Sequence, residues 1–499
     1  MSRLAVDLQK TAGWGAKLLY FSTLIFAALG IWMHPYFHIG SGIFGFLSLV
    51  NLYYKHVQTE DILLRNFGLL AQMRYILESI GPELRQYFYA SDTEERPFNR
   101  NERSEVYKKA ENVDSTTSFG SQLEFDHHEI KLRHSMFPIL KEERQKYSLT
   151  FGEERGLKNK FEITKPFMIS AMSFGSLGEN AVRSLSKGAA LGGIPINTGE
   201  GGLSPYHLSG GGDVIFQLGT AKFGCRNSDG SLNEEKFKEI AANKQVRMIE
   251  IKFSQGAKPG KGGLLPKEKI TKEISEIRGV PMDQDIVSPP RHIECDTTVN
   301  TVKFIAKVQS LANDKPVGIK LTLGNEKEFR EMILEMKKQD VLPDYMDIDG
   351  SEGGTGAAPK SFIDSVGIPL LVALPRVQKI LTEEGVRDKM KLVCSGKLIN
   401  AAKQLTAMAY GADAIYTARG FMLALGCIQA LQCNKGTCPV GITTHDPLLQ
   451  HGLVVEKKAE RIKNYIFNMD HDFHELLAAT GARTVQDLSM DKLYIPDHA

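Results

Sequence analysis

Lys391-Leu392-Val393-Cys394-Ser395-Gly396-Lys397, followed by Gly411-Ala412-Asp413-Ala414-Ile415-Tyr416-Thr417-Ala418-Arg419-Gly420, decides the fold. Each stretch is a short apolar run that ends abruptly in small and cationic residues. That is how a buried parallel strand reads when its C-terminal end opens onto a site. Working outward, further runs occupy residues 167–172, 194–197, 247–253, 317–321, 345–349 and 369–373. With 391–394 and 413–416 they make eight candidate strands, separated by helical stretches. Eight βα units fit an α/β fold of the (β/α)8, or TIM, barrel type; an open doubly wound sheet is the competing arrangement. In a barrel the chemistry gathers at the C-terminal strand ends.

Those ends carry a consistent chemistry. Asp349-Gly350-Ser351-Glu352-Gly353-Gly354-Thr355-Gly356 follows one strand. It lacks the G-K-[ST] of a P-loop and the G-x-G-x-x-G of a dinucleotide fold, but its glycines let backbone approach a flat or anionic ligand. Ser395-Gly396 and Ala418-Arg419-Gly420 follow the last two strands, where barrels build phosphate sites. Asn197-Thr198-Gly199-Glu200-Gly201-Gly202 sets a carboxylate on a glycine loop. Lys252, Gln255 and Lys258 follow another strand, and Lys320 stands on the next. Taken singly these are turns and solvated lysines. Three lysines at the strand ends of one barrel point to an anionic ligand, and one beside a flavin would stabilise its reduced form.

Beyond the last strand, Cys427, Cys433 and Cys438 stand at C-x5-C-x4-C, with Pro439 after the last. Three thiolates from one loop can hold irons of a cluster; buried thiols or a zinc loop are the alternatives. Cys225, Cys295 and Cys394 are scattered, which fits a reducing compartment without a disulfide framework. A barrel with phosphate loops beside an electron-transfer cluster points to bound FMN, with Arg419 as a phosphate partner.

Residues 18–54 contain no Asp, Glu, Lys or Arg. The runs 18–33 and 37–54, parted by His34-Pro35-Tyr36, read as a two-span hairpin near the lower limit of about 17 residues per span. Tyr20, Trp32, Tyr36, Tyr53 and Tyr54 lie near the ends. Arg3, Lys10, Lys17, Lys55 and Arg65 flank the hairpin, which places both ends and the catalytic body on the cytoplasmic side of the cell membrane. A buried or interfacial hairpin is the alternative. The expected organisation is a hairpin at 1–60, a helical and irregular wrapping segment at 61–164, the barrel with its cysteine loop at 165–448 and a helical tail at 449–499. His127, His128 and His134 read as ordinary surface or core histidines. The net charge of +2 gives no reason to expect nucleic acid.

Five motifs occur in order: residues 197–202, 251–263, Ser288-Pro289-Pro290-Arg291-His292, 353–359 and 427–441. Together, over about residues 166–447, they resemble the FMN-binding synthase domain of glutamate synthase. The hairpin resembles that of stand-alone members, the FMN-binding glutamate synthase family proteins. The resemblance implies FMN, a [3Fe–4S] cluster on Cys427, Cys433 and Cys438, and reductive amination of 2-oxoglutarate with ammonia to L-glutamate. It implies that Met172 and Ser173 flank the flavin with Asn197. Lys320 would sit at its ring, with Asp349, Gly350, Gly353, Gly354, Thr355, Gly356, Ser395, Gly396, Ala418, Arg419 and Gly420 along its cradle. Ser173, Gln255, Lys258 and Arg278 would bind substrate; Glu200 would handle protons and Lys252 tune the flavin.

Three departures stand out. The chain opens Met-Ser-Arg and has no cysteine before Cys225, so the glutaminase nucleophile of full-length members is not expected. Leu264 stands where the family has a glutamine that helps bind 2-oxoglutarate, and Ser351-Glu352 replaces His-Asp. These leave room for another 2-oxo or amino acid as substrate, or for a barrel subunit of a larger transferase. With no nicotinamide domain in view, electrons are expected from ferredoxin or a flavoprotein subunit.

Overall fold

The computed structural model describes residues 2–114, 116–123 and 130–496, with backbone alone for residues 2–10. His127, His128 and the side chains of Arg3 and Lys10 lie outside the described residues. Two compact units divide the chain, Met1–Arg100 and Asn101–Ala499. The expected wrapping segment is therefore split between them.

The first unit is built on α1 (Ser2–Trp32) and α2 (Phe37–Leu52), joined by a tight turn at His34-Pro35-Tyr36. Polar rungs hold the two together: Thr23 Oγ1 lies 3.2 Å from Ser48 Oγ, and Asn51 Nδ2 donates to the Tyr20 hydroxyl at 2.9 Å. Phe26 stacks on Phe44 with centroids 5.2 Å apart. The outward faces stay apolar and exposed at Leu18, Leu24, Ile31, Phe46 and Leu49. Thr11–Trp32, 22 residues, is long and apolar enough to cross a bilayer. At 16 residues, α2 falls below the usual spanning length.

The second unit is a closed barrel of eight parallel strands. They are β1 (Phe167–Ile169), β2 (Ile196–Asn197), β3 (Val214–Leu218), β4 (Val246–Lys252), β5 (Val317–Leu321), β6 (Tyr345–Asp349), β7 (Lys391–Ser395) and β8 (Ala414–Thr417). The barrel closes by pairing Ile415 with Phe167. Seven of the eight strands coincide with runs read from the sequence. The eighth expectation fails: residues 369–373 are not a strand but the start of the helix Leu370–Glu383. Pro369 precedes its first turn, and the Glu352 carboxylate accepts from Leu370 N at 3.0 Å, so a helix begins where an apolar run suggested a strand. The strand passed over is Val-Ile-Phe-Gln-Leu at 214–218, every residue of it buried.

Packing closes the barrel at its base. The hairpin Leu149–Phe151/Phe161–Ile163 sets Phe151 edge-on against Tyr345 at 5.3 Å. Gly318 makes room for that tyrosine, since a Cβ there would stand 2.3 Å from its ring. The helix Val455–Ala479 seats Ile462 and Ile466 against Gly188 and Gly192 of the helix Glu179–Gly192; a Cβ at either glycine would meet them within 2.5 Å.

Because Phe216 lies inside β3, Phe216→Ala should destabilise the fold by about 3–5 kcal/mol. Val372 is 41% exposed on a helix, so Val372→Ala should change stability by less than about 0.5 kcal/mol. Denaturant titration of the two variants decides between helix and strand at 369–373.

Candidate active site

Two sets of charges meet at the C-terminal ends of the strands. The upper set centres on Glu200. A short turn after β2 presents it, and its Oε2 lies 3.0 Å from Lys252 Nζ at the end of β4. Lys252 also donates to Gln255 Oε1 at 2.5 Å. The walls press close on the carboxylate: a Cβ on Gly263 would stand 2.6 Å from Glu200 Oε1, and one on Gly219 would stand 2.6 Å from Glu200 Cβ. Burial alone would raise the Glu200 pKa, but Lys252, then Lys258 and Arg278, outweigh it and hold the group ionised. Lys258 donates to Ala357 O at 2.7 Å; burial pulls it down to about 8, with Glu200 opposing. Arg278 donates to Phe174 O at 2.7 Å and is lowered by burial to about 10. Its guanidinium lies beneath Gly175 and Gly201, where a Cβ would stand 2.7 and 2.9 Å from Nη2, while Ser173 packs against the same turn. Glu200, Lys252, Gln255, Lys258, Arg278 and Ser173 therefore share one neighbourhood.

The lower set fills the bore. Lys320 Nζ lies 2.7 Å from Asp347 Oδ2 and 3.8 Å from Asp349 Oδ2. Ser395 Oγ donates to Asp349 Oδ1 at 2.8 Å and lies 3.3 Å from Asp347 Oδ1. Asn197 turns into this bore rather than toward the rim. Its Nδ2 donates to Glu250 Oε1 at 2.9 Å and its Oδ1 accepts from Gly199 N, so its polar atoms organise the barrel. Sequence reasoning missed Glu250, Gln217 and Asp347. Their signal was a charged or amide residue in an otherwise apolar barrel strand.

The glycine loops form a cradle beside both sets. Gly256 N donates to Asp349 Oδ2 at 2.8 Å, and a Cβ on Gly256 would lie 1.7 Å from Gly350 O. Gly353 and Gly354 lie against Asp349 and Arg419, where added Cβ atoms would stand 2.9 and 3.0 Å away. Arg419 donates to Glu352 O, and the Glu352 carboxylate also meets Gly396. Thr355 Oγ1 turns back to Ala357 O at 3.2 Å. Gly420 has a different reason to be glycine: a Cβ would stand 2.4 Å from the Tyr465 hydroxyl of the C-terminal helix. Ala418 precedes the short helix Arg419–Leu425. Met172 is buried, its carbonyl 2.8 Å from His207 Nε2. The half-buried Arg419 guanidinium at one end and the buried Lys320 ammonium at the other, with Cβ-free backbone between, fit the phosphate and ring of a flavin mononucleotide.

The cysteine loop follows the helix Arg419–Leu425. Burial raises the Cys427 thiol to about 11, with Cys433 and Cys438 reinforcing it. Lys269 Nζ ties the loop to the Met172–Ser173 side, donating to Cys433 O at 3.1 Å and Ser176 O at 3.2 Å. The Tyr107 hydroxyl holds Cys427 O at 2.6 Å. The donor chemistry fits an iron–sulfur cluster, although among the described residues no three His, Cys, Asp or Glu side chains already converge as a metal-binding set. Leu264 lies on the small antiparallel ladder Leu264–Leu265/Ile286–Val287 beyond β4, 45% exposed.

A closed parallel barrel with two buried charge sets and a Cβ-free cradle at its rim is an enzyme architecture of the cofactor-using kind. Residues 97–483 match a conserved region in glutamate synthase. The glutamate synthase large subunit-like protein YerD of Bacillus subtilis is 40% identical over 462 residues, covering 85% of this chain and 88% of YerD. The archaeal glutamate synthase [NADPH] of Methanocaldococcus jannaschii is 36% identical over 328 residues, 66% of this chain and 61% of that one. The chain belongs to the glutamate synthase family and is an oxidoreductase.

Gly256→Ala should destabilise the protein by about 1–3 kcal/mol and reduce flavin content, because the new Cβ meets a backbone carbonyl. Gly356, with nothing within 4 Å, should accept alanine without either effect. Thermal unfolding and flavin absorbance of the two variants check this.

Proposed function

We propose that this protein is an FMN- and iron–sulfur-dependent oxidoreductase that aminates 2-oxoglutarate with ammonia to give L-glutamate. The observation that carries the reading is Glu200, ionised and half-buried among Lys252, Lys258 and Arg278 at the barrel rim. One 2-oxoglutarate, one ammonium, two electrons and two protons give one glutamate and one water. Bound FMN would supply hydride, held by Arg419 and the Gly353–Gly354 turn at its phosphate and by Lys320 at its ring. Lys258 and Arg278 hold the two substrate carboxylates. Glu200 accepts the proton released as ammonia adds to the ketone and returns it to the departing hydroxyl. Lys252, 3.0 Å away, keeps Glu200 anionic between those steps. Cys427, Cys433 and Cys438 would hold a [3Fe–4S] cluster that passes electrons inward from an external donor, ferredoxin or a flavoprotein subunit. The apolar Thr11–Trp32 segment and the exposed faces of α1 and α2 support a membrane anchor, with the barrel in the cytoplasm.

Leu264 favours a second reading, in which the same apparatus takes a different 2-oxo acid. An apolar side chain there removes an amide that could bind a carboxylate.

Photoreduced, membrane-extracted protein should be reoxidised by 2-oxoglutarate plus ammonium, with one glutamate formed per flavin. If another 2-oxo acid reoxidises it and 2-oxoglutarate does not, the second reading stands; if none does, the amination fails. Recovery in the soluble fraction would sink the anchor, and an EPR spectrum without an oxidised three-iron signal would sink the cluster. Because Lys258 titrates at about 8, 2-oxoglutarate affinity should hold below that pH. Above it, affinity should fall by up to about tenfold per unit as the ammonium loses its proton. Lys258→Gln should weaken binding about tenfold and flatten the profile, read by flavin difference spectra.

A further inference from the structure

The barrel bore contains three carboxylates that the chemistry above leaves unused, Glu250, Asp347 and Asp349, against the single ammonium of Lys320. All four are buried, Glu250 and Asp347 completely. An excess of two negative charges in a dry core is strongly unfavourable, so one of these carboxyls is poised to take up a proton. The hydrogen-bond pattern indicates which. Glu250 Oε1 accepts from Asn197 Nδ2 at 2.9 Å and Gln217 Nε2 at 2.7 Å, and Oε2 lies 3.5 Å from the Tyr345 hydroxyl. Asp349 accepts from Gly256 N and Ser395 Oγ, both at 2.8 Å. Glu250 and Asp349 are thus each supplied with two close donors. Among the described residues Asp347 accepts one long bond, 3.3 Å from Ser395 Oγ, besides its ion pair with Lys320. Burial pushes Asp347 up to about 7; Lys320 opposes, and Glu250 and Asp349 reinforce the rise.

We propose that Asp347 is the proton store of the flavin site, taking up one proton when the flavin is reduced and releasing it when hydride leaves for substrate. The inference rests on the flavin reading above. Its electrostatic logic is local. Two electrons and one proton entering the ring leave it one negative charge richer, above a lysine already shared by three carboxylates. Neutralising Asp347 frees the Lys320 ammonium to face the reduced ring. The electrons come from the external donor, the second proton from solvent, and oxidation by substrate returns that proton.

The neighbouring groups on every adjoining strand leave this role to Asp347. Burial opposes the charge on Lys320, but the carboxylates outweigh it and hold the ammonium protonated well above the ordinary lysine range. Burial likewise drives the Tyr345 and Tyr416 phenols and the Cys394 thiol far upward, so all three stay protonated. Lys252, in register beside Lys320, is turned to Glu200. Ser395 Oγ, between Asp347 and Asp349, offers a relay from the bore toward Gly256 at the rim.

The test is a spectroelectrochemical titration of flavin potential against pH on the intact holoprotein. The wild type should take up one proton per two electrons well below pH 7 and two above it, doubling the slope. Asp347→Asn should take up one throughout. A doubled slope kept by D347N places the second proton elsewhere and overturns the proposal. So does a one-proton slope across the whole range in wild type, which decides the matter even if the variant loses its flavin. Wild-type protein that binds no flavin defeats the underlying reading instead.

Discussion

A lysine ammonium inside a closed barrel is the constraint on which this structure turns. Lys320 cannot reach bulk water, so its charge must be met by fixed partners, and Asp347 meets it at 2.7 Å. Replacing such a pair with hydrocarbon is often neutral or stabilising, so the pair is poorly explained by stability alone. Its consequences spread around the bore. Asp349 is steadied by Ser395 and Gly256 N, Glu250 by Asn197 and Gln217, and each of these contacts fixes a strand end or loop that also lines the rim. The polar network thus fixes where the glycine loops stand, and those loops in turn leave room for a ligand.

The upper charge set obeys the opposite arithmetic. There one carboxylate, Glu200, faces Lys252, Lys258 and Arg278. The site is cationic in excess and partly open; the bore is anionic in excess and sealed. A flavin between them would have substrate attraction on one side and proton compensation on the other. Neither set achieves this alone, because a uniformly cationic site would bind anions without coupling reduction to protons.

Much of this was legible in the sequence, for a physical reason. Parallel barrel strands are buried on both faces, so they read as short apolar runs, and their functional ends interrupt the apolar pattern with Lys, Asp, Gly or Ser. Lys252, Lys320, Asp349 and Ser395 announce themselves in that way. Residues 369–373 misled because a short apolar run does not distinguish a buried strand from the buried side of a helix; Pro369 before the run and the capping contact from Glu352 decided it. The strand 214–218 was hidden between glycines that punctuate it on both sides. Gly420 shows a subtler limit. A glycine in a phosphate-loop pattern reads as ligand-directed, yet its Cβ position is taken by the Tyr465 hydroxyl.

Leu264 stands apart from the bore and the Gly353–Gly354 turn, and the geometry explains why. The side chain sits on a two-stranded arm beyond β4, joined to the rim through Gly262 and Gly263, which pack against Ser288 O and Glu200. Position 264 is thus next in sequence to the glycine that packs on Glu200, on an element separate from the bore and the Gly353–Gly354 turn. Lys320, Asp349, the Gly353–Gly354 turn, Ser395 and Arg419 come from β5 to β8 and their loops, whereas the arm lies between β4 and β5. A barrel arranged in this way can vary the arm while keeping the bore and its glycine loops constant.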